Sequence, residues 1–210
     1  PVNDHYQALF DALDARSRKR QQDLEARARD VLDVLSRSPL MASHVDSLEQ
    51  LVWLNLRLLA ARQAIERVVD TAQSERATLE AQEQGIDQRL GDPGLSHELR
   101  RSLEQQKAVI DARQAAHVEA ERRQEHVDAE LERIAQQVAL IREQALLASD
   151  EEHIGAALDA LSASFNEASR WLSSQRDLLG VLDVHDSQRL PAHVLRERSP
   201  PGRTSASSHQ

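Results

Sequence analysis

The chain of 210 residues has no cysteine and very little glycine, proline or aromatic side chain. Without cysteine it has no disulfide framework, no thiolate zinc site and no cysteine nucleophile. Aromatic residues make up 2% of the chain, whereas strands favour aromatic and β-branched residues. Six glycines and six prolines leave few loops on which an enzyme would carry its site. These shortages disfavour a sheet protein and an enzyme.

Long apolar runs and an excess of positive charge are also missing. There are 26 basic residues against 35 acidic ones, and the net charge is −9. Such a charge argues against a general affinity for nucleic acid or anionic lipid. The most apolar stretch, residues 51–61, is too short to span a bilayer and includes Asn55 and Arg57. We therefore predict no membrane span within this chain and a cytoplasmic location, or membrane association through an anchor upstream of Pro1.

Helix-forming residues dominate what is present, and the apolar positions recur at helical spacing. Four helical segments are predicted, at about residues 3–37, 42–90, 95–148 and 149–182. Pro39 ends the first segment, and the residues from Ser149 to Glu152 are typical of a capping box at the start of the fourth. Residues 184–210 contain proline, serine and arginine, and they are predicted to form a disordered tail.

The second and third segments have the pattern of an antiparallel coiled coil. Their apolar residues alternate by three and four positions, as heptads do. Gly91 and Pro93 lie between the two segments. Gly91 suits a left-handed residue after a helix end, and Pro93 prevents the helix from continuing. A connection this short makes the neighbouring helices antiparallel.

Folding the two segments about this turn gives a register for the helix pair. It places Glu75 near Arg113, so the polar seam positions of one segment face those of the other. The predicted seam includes Val68 and, farther from the base, Gln82 and Gln106, with heptad spacing on both helices. Polar seam residues predict that this part of the helix pair is the less stable one.

The predicted fold is therefore all-α. We expect an elongated antiparallel helical bundle over residues 1–183, with a four-helix base in up-down-up-down order. A two-helix coiled-coil hairpin arm, at about residues 70–115, should project from the base because the outer segments are too short to cover it. Leu131 is expected in the base core, and Trp53, Phe165 and Trp171 are expected in or beside it.

No catalytic, cofactor or metal site is assigned from the sequence. The chain has nine histidines, but the Glu-x-x-His signature of di-iron bundles is not found. A glycine-rich phosphate loop, a GxSxG elbow and HExxH are missing as well. Acidic residues lie at salt-bridge spacing to arginines on helix faces. They are therefore interpreted as surface pairs.

Two groups of residues are candidates for contact with a partner. The first is the basic run in the polar part of the first segment, and the alternative is a solvated helix face balanced by nearby acids. The second lies beside the turn, and the alternative is that its leucine simply closes the hairpin. The candidates are Arg16, Arg18, Lys19 and Arg20 in the run, and Leu95, Arg100 and Arg101 beside the turn.

The leading functional expectation is a non-enzymatic helical scaffold or adaptor that contacts other proteins helix on helix, and self-association is a further expectation. The alternative is the soluble helical region of a membrane-anchored or sensory protein. Its outer helices would transmit a change to or from a segment upstream of Pro1. Only Lys19 and Lys107 among the basic residues are lysines, and the rest are arginines. This excess of arginine is interpreted as the bias of a GC-rich, bacterial genome.

Overall fold

The computed structural model describes residues 2–37, 42–147, 151–174 and 190–195. Within these ranges every regular element is an α-helix, and the long helices pack against one another, so the predicted all-α class is confirmed. The helices in chain order are α1 (Val2–Ala12), α2 (Ala15–Leu35), α3 (Ala42–Leu90), α4 (His97–Leu147), α5 (Glu151–Ser174) and α6 (Ala192–Leu195). The predicted stop at Pro39, the cap at Ser149 and the stripe beyond Ser174 lie outside the described residues.

The first predicted segment is two helices rather than one. Leu13 ends α1, with its amide donating to the Phe10 carbonyl at 3.1 Å. Asp14 then caps α2, because its carboxylate accepts the Ser17 amide at 2.7 Å. An N-cap aspartate satisfies an amide at the start of a helix that has no partner within the helix. The expectation of a continuous helix over residues 3–37 is wrong at this point.

The chain divides into two compact units, and the division falls inside α3 and α4. Unit 1 comprises Pro1–Arg57 and Arg133–Gln210, and unit 2 comprises Leu58–Glu132. In unit 1 every residue of α3 from 51 to 57 is buried. A helix buried on all sides is surrounded by neighbours, as its wide apolar band predicts. Trp53 is 4% exposed and Phe165 9% exposed, which agrees with their expected place in a core.

Part of the predicted tail has a defined structure. Helix α6 packs against α2 within unit 1, where Pro191, Val194 and Leu195 are buried. The Arg29 guanidinium donates to the Val194 carbonyl at 2.9 Å. Residues 190–195 of the predicted tail thus have a defined structure, in which their apolar side chains are buried. The remainder of the predicted tail lies outside the described residues.

In unit 2, α3 and α4 are joined by a series of ion pairs. Glu75 and Arg113, the neighbours predicted from the register, form one of them. From Arg62 to Asp87 along α3, the partner on α4 moves back from Asp128 to Lys107, so the helices run antiparallel within this unit. The other pairs are Arg62–Asp128, Arg76–Glu121 and Asp87–Lys107. A cluster of Leu79, Ile86, Leu103 and Ile110 forms the apolar core beside the turn, with Leu90 and Leu95 packed on it.

Several polar seam positions differ from the prediction by one residue. Gln82 and Gln106 are exposed, whereas the next residues along, Glu83 and Lys107, are half-buried. Glu83 accepts a hydrogen bond from Gln114 across the helix pair at 3.3 Å. Two further seam positions are shifted by one residue. Val69 is buried where Val68 was expected, and Gln114 is half-buried whereas the expected Arg113 is exposed. Between two apolar seam residues that are seven positions apart, the intervening seam residue lies either three or four positions after the first. Both spacings occur in heptads, so the apolar pattern alone does not select one of them.

Neither Gly91 nor Gly94 has a left-handed backbone in the turn between α3 and α4, so the conformation predicted for Gly91 is wrong. Its amide donates to the carbonyls of Asp87 and Gln88 and so continues the helical pattern. A Cβ atom at this glycine would lie 3.3 Å from the Gln88 carbonyl oxygen. A side chain here would require the Gln88 carbonyl to shift by a few tenths of an ångström, so close approach rather than the backbone angle favours glycine. Ser96 then caps α4 by accepting the Leu99 amide at 3.2 Å.

Leu131 offers a direct test of the core. Its side chain is 2% exposed, while Leu140 on the same helix is 51% exposed. Leu131→Ala should lower the free energy of unfolding by about 2–5 kcal/mol because it leaves a cavity. The matched change Leu140→Ala should stay within about 0.5 kcal/mol of the parent. Urea unfolding followed by circular dichroism measures both, and equal midpoints would remove Leu131 from the core.

Candidate functional site

Four buried polar side chains form a connected cluster inside unit 1. Tyr6 comes from α1, Gln21 and Glu25 from successive turns of α2, and Asn55 from the fully buried part of α3. Gln21 has no exposed surface, and the other three are at most 8% exposed. Burying a polar group is unfavourable unless it is hydrogen-bonded. The cluster therefore depends on how these side chains bond to one another.

Gln21 is the centre of this hydrogen-bond network. Its amide nitrogen donates to the Tyr6 hydroxyl at 3.0 Å and to the Val52 carbonyl at 3.1 Å. Its amide oxygen accepts from the Asn55 side chain at 2.7 Å. The Tyr6 hydroxyl in turn donates to a carboxylate oxygen of Glu25. One side chain of α2 thus connects α1 to α3 through buried hydrogen bonds.

Burial changes the proton affinity of two members of the cluster. It raises the pKa of Glu25, and the hydrogen bonds from Tyr6 and Gln21 and the charges of Arg29 and His193 only partly oppose this. Burial, together with the neighbouring Glu25 carboxylate, also raises the pKa of the Tyr6 phenol. The phenol therefore keeps its proton. Folding opposes the charged form of Glu25, because a buried carboxylate loses its hydration.

A second group of side chains surrounds Trp53, and His5, the one exposed member, lies at its edge. The Tyr6 ring meets the indole edge-on with a centroid distance of 5.0 Å, and the His5 ring lies at 5.9 Å. The guanidinium carbon of Arg57 lies 5.8 Å from the indole centroid, a distance at which a cation is attracted by the ring. Arg57 is 7% exposed, and burial lowers its pKa from the ordinary value.

Unlike the hydrogen-bonded cluster, this second group includes buried donors that no described residue satisfies. Arg57 Nε, Arg57 Nη2 and Trp53 Nε1 are buried and have no hydrogen-bond partner among the described residues. Most buried polar groups in proteins are bonded, so three such donors on neighbouring turns of α3 form an unusual concentration. The arrangement has the chemistry to hold an acceptor that carries negative charge.

The basic run lies in the first turns of α2. Arg16, Arg18 and Lys19 are exposed, and Arg20 is half-buried. Arg18 Nε donates to the Leu13 carbonyl at 2.8 Å, which joins the end of α1 to the start of α2. The structure thus gives Arg18 a local role in the chain, and the partner contact suggested for the run stays a prediction.

The candidates beside the turn of unit 2 are used in two ways. Leu95 is half-buried against the apolar cluster of this unit. Arg100 donates from Nη1 to the Leu90 carbonyl at 3.0 Å and from Nη2 to the Asp92 carbonyl at 2.9 Å. It therefore satisfies carbonyls at the end of α3, which have no partner within the helix. Arg101 is exposed, and its contact with a partner stays a prediction.

Across the described ranges, no group of three or more histidine, cysteine or acidic side chains is arranged to hold a metal ion. None of the helices described combines the length and apolarity needed to cross a bilayer. An open depression on α5 is lined by Asn166, Ser169, Arg170 and Ser173, and it is remote in sequence from both buried groups.

The sequence analysis missed the hydrogen-bonded cluster because it interpreted residues 14–23, the polar part of the first segment, as a gap in the apolar stripe of that segment. The apolar stripe of α2 continues backward from Leu24 by three and four positions to Gln21 and Ser17, and both are buried. That spacing was a usable signal for two inward-facing polar residues. Asn55 and Arg57 were considered only as interruptions of an apolar run. The bonding of Tyr6 to Glu25, 19 residues away, left no periodic signal in the sequence.

Comparisons of the chain with known protein families, with curated proteins and with solved structures find no match. The buried groups of unit 1 and the helix pair of unit 2 therefore carry the functional argument.

The raised pKa of Glu25 gives a pH-dependent contribution to stability. The contribution is full below the ordinary glutamate value of 4.5, where both states are protonated. It is lost as the pH rises through the higher pKa of the folded state. Glu25→Gln keeps an acceptor for Tyr6 but cannot ionise. The difference in unfolding free energy between this variant and the parent should grow with pH over that window, by up to about 1.4 kcal/mol per pH unit.

Urea unfolding at pH values from 4 upward measures this difference. Asp23→Asn is the matched control, because it removes an exposed carboxylate from the same helix. The control should follow the parent at each pH. If Glu25→Gln also paralleled the parent throughout, the Glu25 carboxylate would not be subject to the burial described.

Proposed function

We propose that this protein is a non-enzymatic helical coiled-coil scaffold or adaptor that acts through contacts with other proteins. The observation that supports the proposal is the length of its paired helices. α3 has 49 residues and α4 has 51, which correspond to roughly 75 Å each at the rise of an α-helix. Helices of this length offer an extended surface on which a partner helix can lie.

The surface of unit 2 agrees with such a role. Its apolar cluster is narrow, so most positions of α3 and α4 in this unit are exposed or half-exposed. Two large apolar side chains of α4 are among them, with Val109 60% and Val118 66% exposed. The ion pairs between the helices hold one register and thereby keep the outer faces in a constant arrangement. A fixed, mainly polar surface with isolated apolar residues is typical of non-obligate protein contacts.

Removal of part of the helix pair tests the proposal. In a variant that lacks residues 78–107, a short flexible loop joins Ala77 to Ala108. This variant shortens both helices at the end beside the turn. Affinity capture with the full chain, followed by mass spectrometry, should identify a partner. The purified partner should then form a complex with the full chain that the variant does not form. The hydrogen-bonded cluster of unit 1 should survive, because none of its residues is removed.

Circular dichroism and light scattering provide the controls. The variant should still unfold cooperatively, and light scattering should show whether the lost partner is a second copy of the chain. A double variant, Val109→Ala with Val118→Ala, keeps the helix lengths and tests the exposed apolar residues alone. Binding of the same partners by the full chain and the deletion variant would contradict a role for this part of the helix pair.

A further inference from the structure

Arg57 and Trp53 present three buried donors that the described part of the chain does not satisfy. They are Arg57 Nε, Arg57 Nη2 and Trp53 Nε1, and the two side chains are only 7% and 4% exposed. Burial lowers the Arg57 pKa, and no acidic group among the described residues opposes this. Glu25, a buried acid of the same unit, is already bonded to Tyr6. Within the described part of the chain, the positive charge of Arg57 therefore lacks a counter-charge.

The unsatisfied guanidinium atoms lie on the same edge of the group. The N–H bonds of Nε and Nη2 point in parallel from that edge, at a spacing that matches the two oxygens of a carboxylate. Nη1, which lies on the other side, is not among the unsatisfied buried atoms. The ring of Trp53, one helical turn away, has its centroid 5.8 Å from the Arg57 guanidinium carbon, and its Nε1–H is the third unsatisfied donor of this group.

A buried charge without a partner is strongly unfavourable, and each unbonded buried donor adds to that cost. A bound anion would remove both costs. A planar two-oxygen anion satisfies the two parallel guanidinium donors with two near-linear hydrogen bonds, whereas a monatomic anion such as chloride can accept both only through bent, weaker ones.

We propose that Arg57 and Trp53 form a binding site for a carboxylate group, held by the Nε–Nη2 edge of Arg57 with the Trp53 indole N–H as a third donor. The carboxylate is that of a small organic acid or of an acidic side chain from a partner protein. Because the donors are buried, it reaches them when the side chains that cover them move aside. The proposal stands independently of the scaffold function, since a small acid would fill the site as well.

The indole N–H of Trp53 provides a direct readout. The chain has two tryptophans, so Trp171→Phe leaves a single indole signal in a nitrogen–proton correlation spectrum of the full chain. Titration with sodium acetate should shift this signal in a saturable way and should raise Tm as acetate increases, because ligand binding stabilises the folded state. Sodium chloride at equal ionic strength should do neither. An identical response to chloride would overturn the proposal.

Two substitutions at Arg57 separate the site from general stability. Arg57→Lys keeps the charge but lacks the paired donors, and it should weaken acetate binding by about tenfold or more. Arg57→Met removes the buried charge, and it should fold with a Tm at or above that of the parent. Its Tm should not respond to acetate. If either variant bound acetate as the parent does, Arg57 would not be the carboxylate ligand.

A second titration distinguishes the two sources of carboxylate. An end-blocked peptide with a single glutamate is compared with acetate, and its glutamine counterpart is the control. Tighter binding of the glutamate peptide than of acetate assigns the site to an acidic side chain of a protein. The reverse order assigns it to a small organic acid. If acetate and both peptides leave the Trp53 signal and Tm unchanged, the site does not bind carboxylates and the inference is wrong.

Discussion

Complete burial of α3 between residues 51 and 57 is the constraint on which the polar chemistry of unit 1 depends. A helix surrounded on all sides cannot direct its polar side chains to water, so each one needs a partner from another helix. Asn55 has such a partner in Gln21, which also donates to the Val52 carbonyl. Arg57, two residues further along, has none among the described residues. The same constraint therefore explains both the satisfied cluster and the proposed carboxylate site.

The two units rely on different interactions. Unit 1 has a broad core to which each of its helices contributes, and its buried polar atoms make specific hydrogen bonds. Unit 2 has a small apolar cluster and a series of largely exposed ion pairs. Exposed ion pairs contribute at most about 1 kcal/mol each. In unit 2 the apolar cluster thus supplies most of the stability, while the ion pairs select one register.

Periodicity predicted the helices well where they are long. The bounds of α3 agree with the predicted residues 42–90, and the contact between Glu75 and Arg113 follows from the register. The break at Asp14 was missed because the capping signal involves only a few positions, whereas the residues on both sides of it favour a helix. The seam was misplaced at Gln82 and Gln106, because polar residues give no hydrophobic signal to separate the two heptad choices.

The sequence by itself determined that this protein is built from long helices, since apolar spacing, helix-forming composition and capping residues act over neighbouring positions. It also determined that Glu75 and Arg113 meet, because one tight turn relates every pair of positions on the two helices that it joins. Only the tertiary structure decided that Tyr6, Gln21, Glu25 and Asn55 bond to one another, and that Arg57 Nε and Nη2 are buried without a hydrogen-bond partner among the described residues. Those contacts join side chains from separate helices, and their partners are set by three-dimensional packing, which leaves no repeat along the chain.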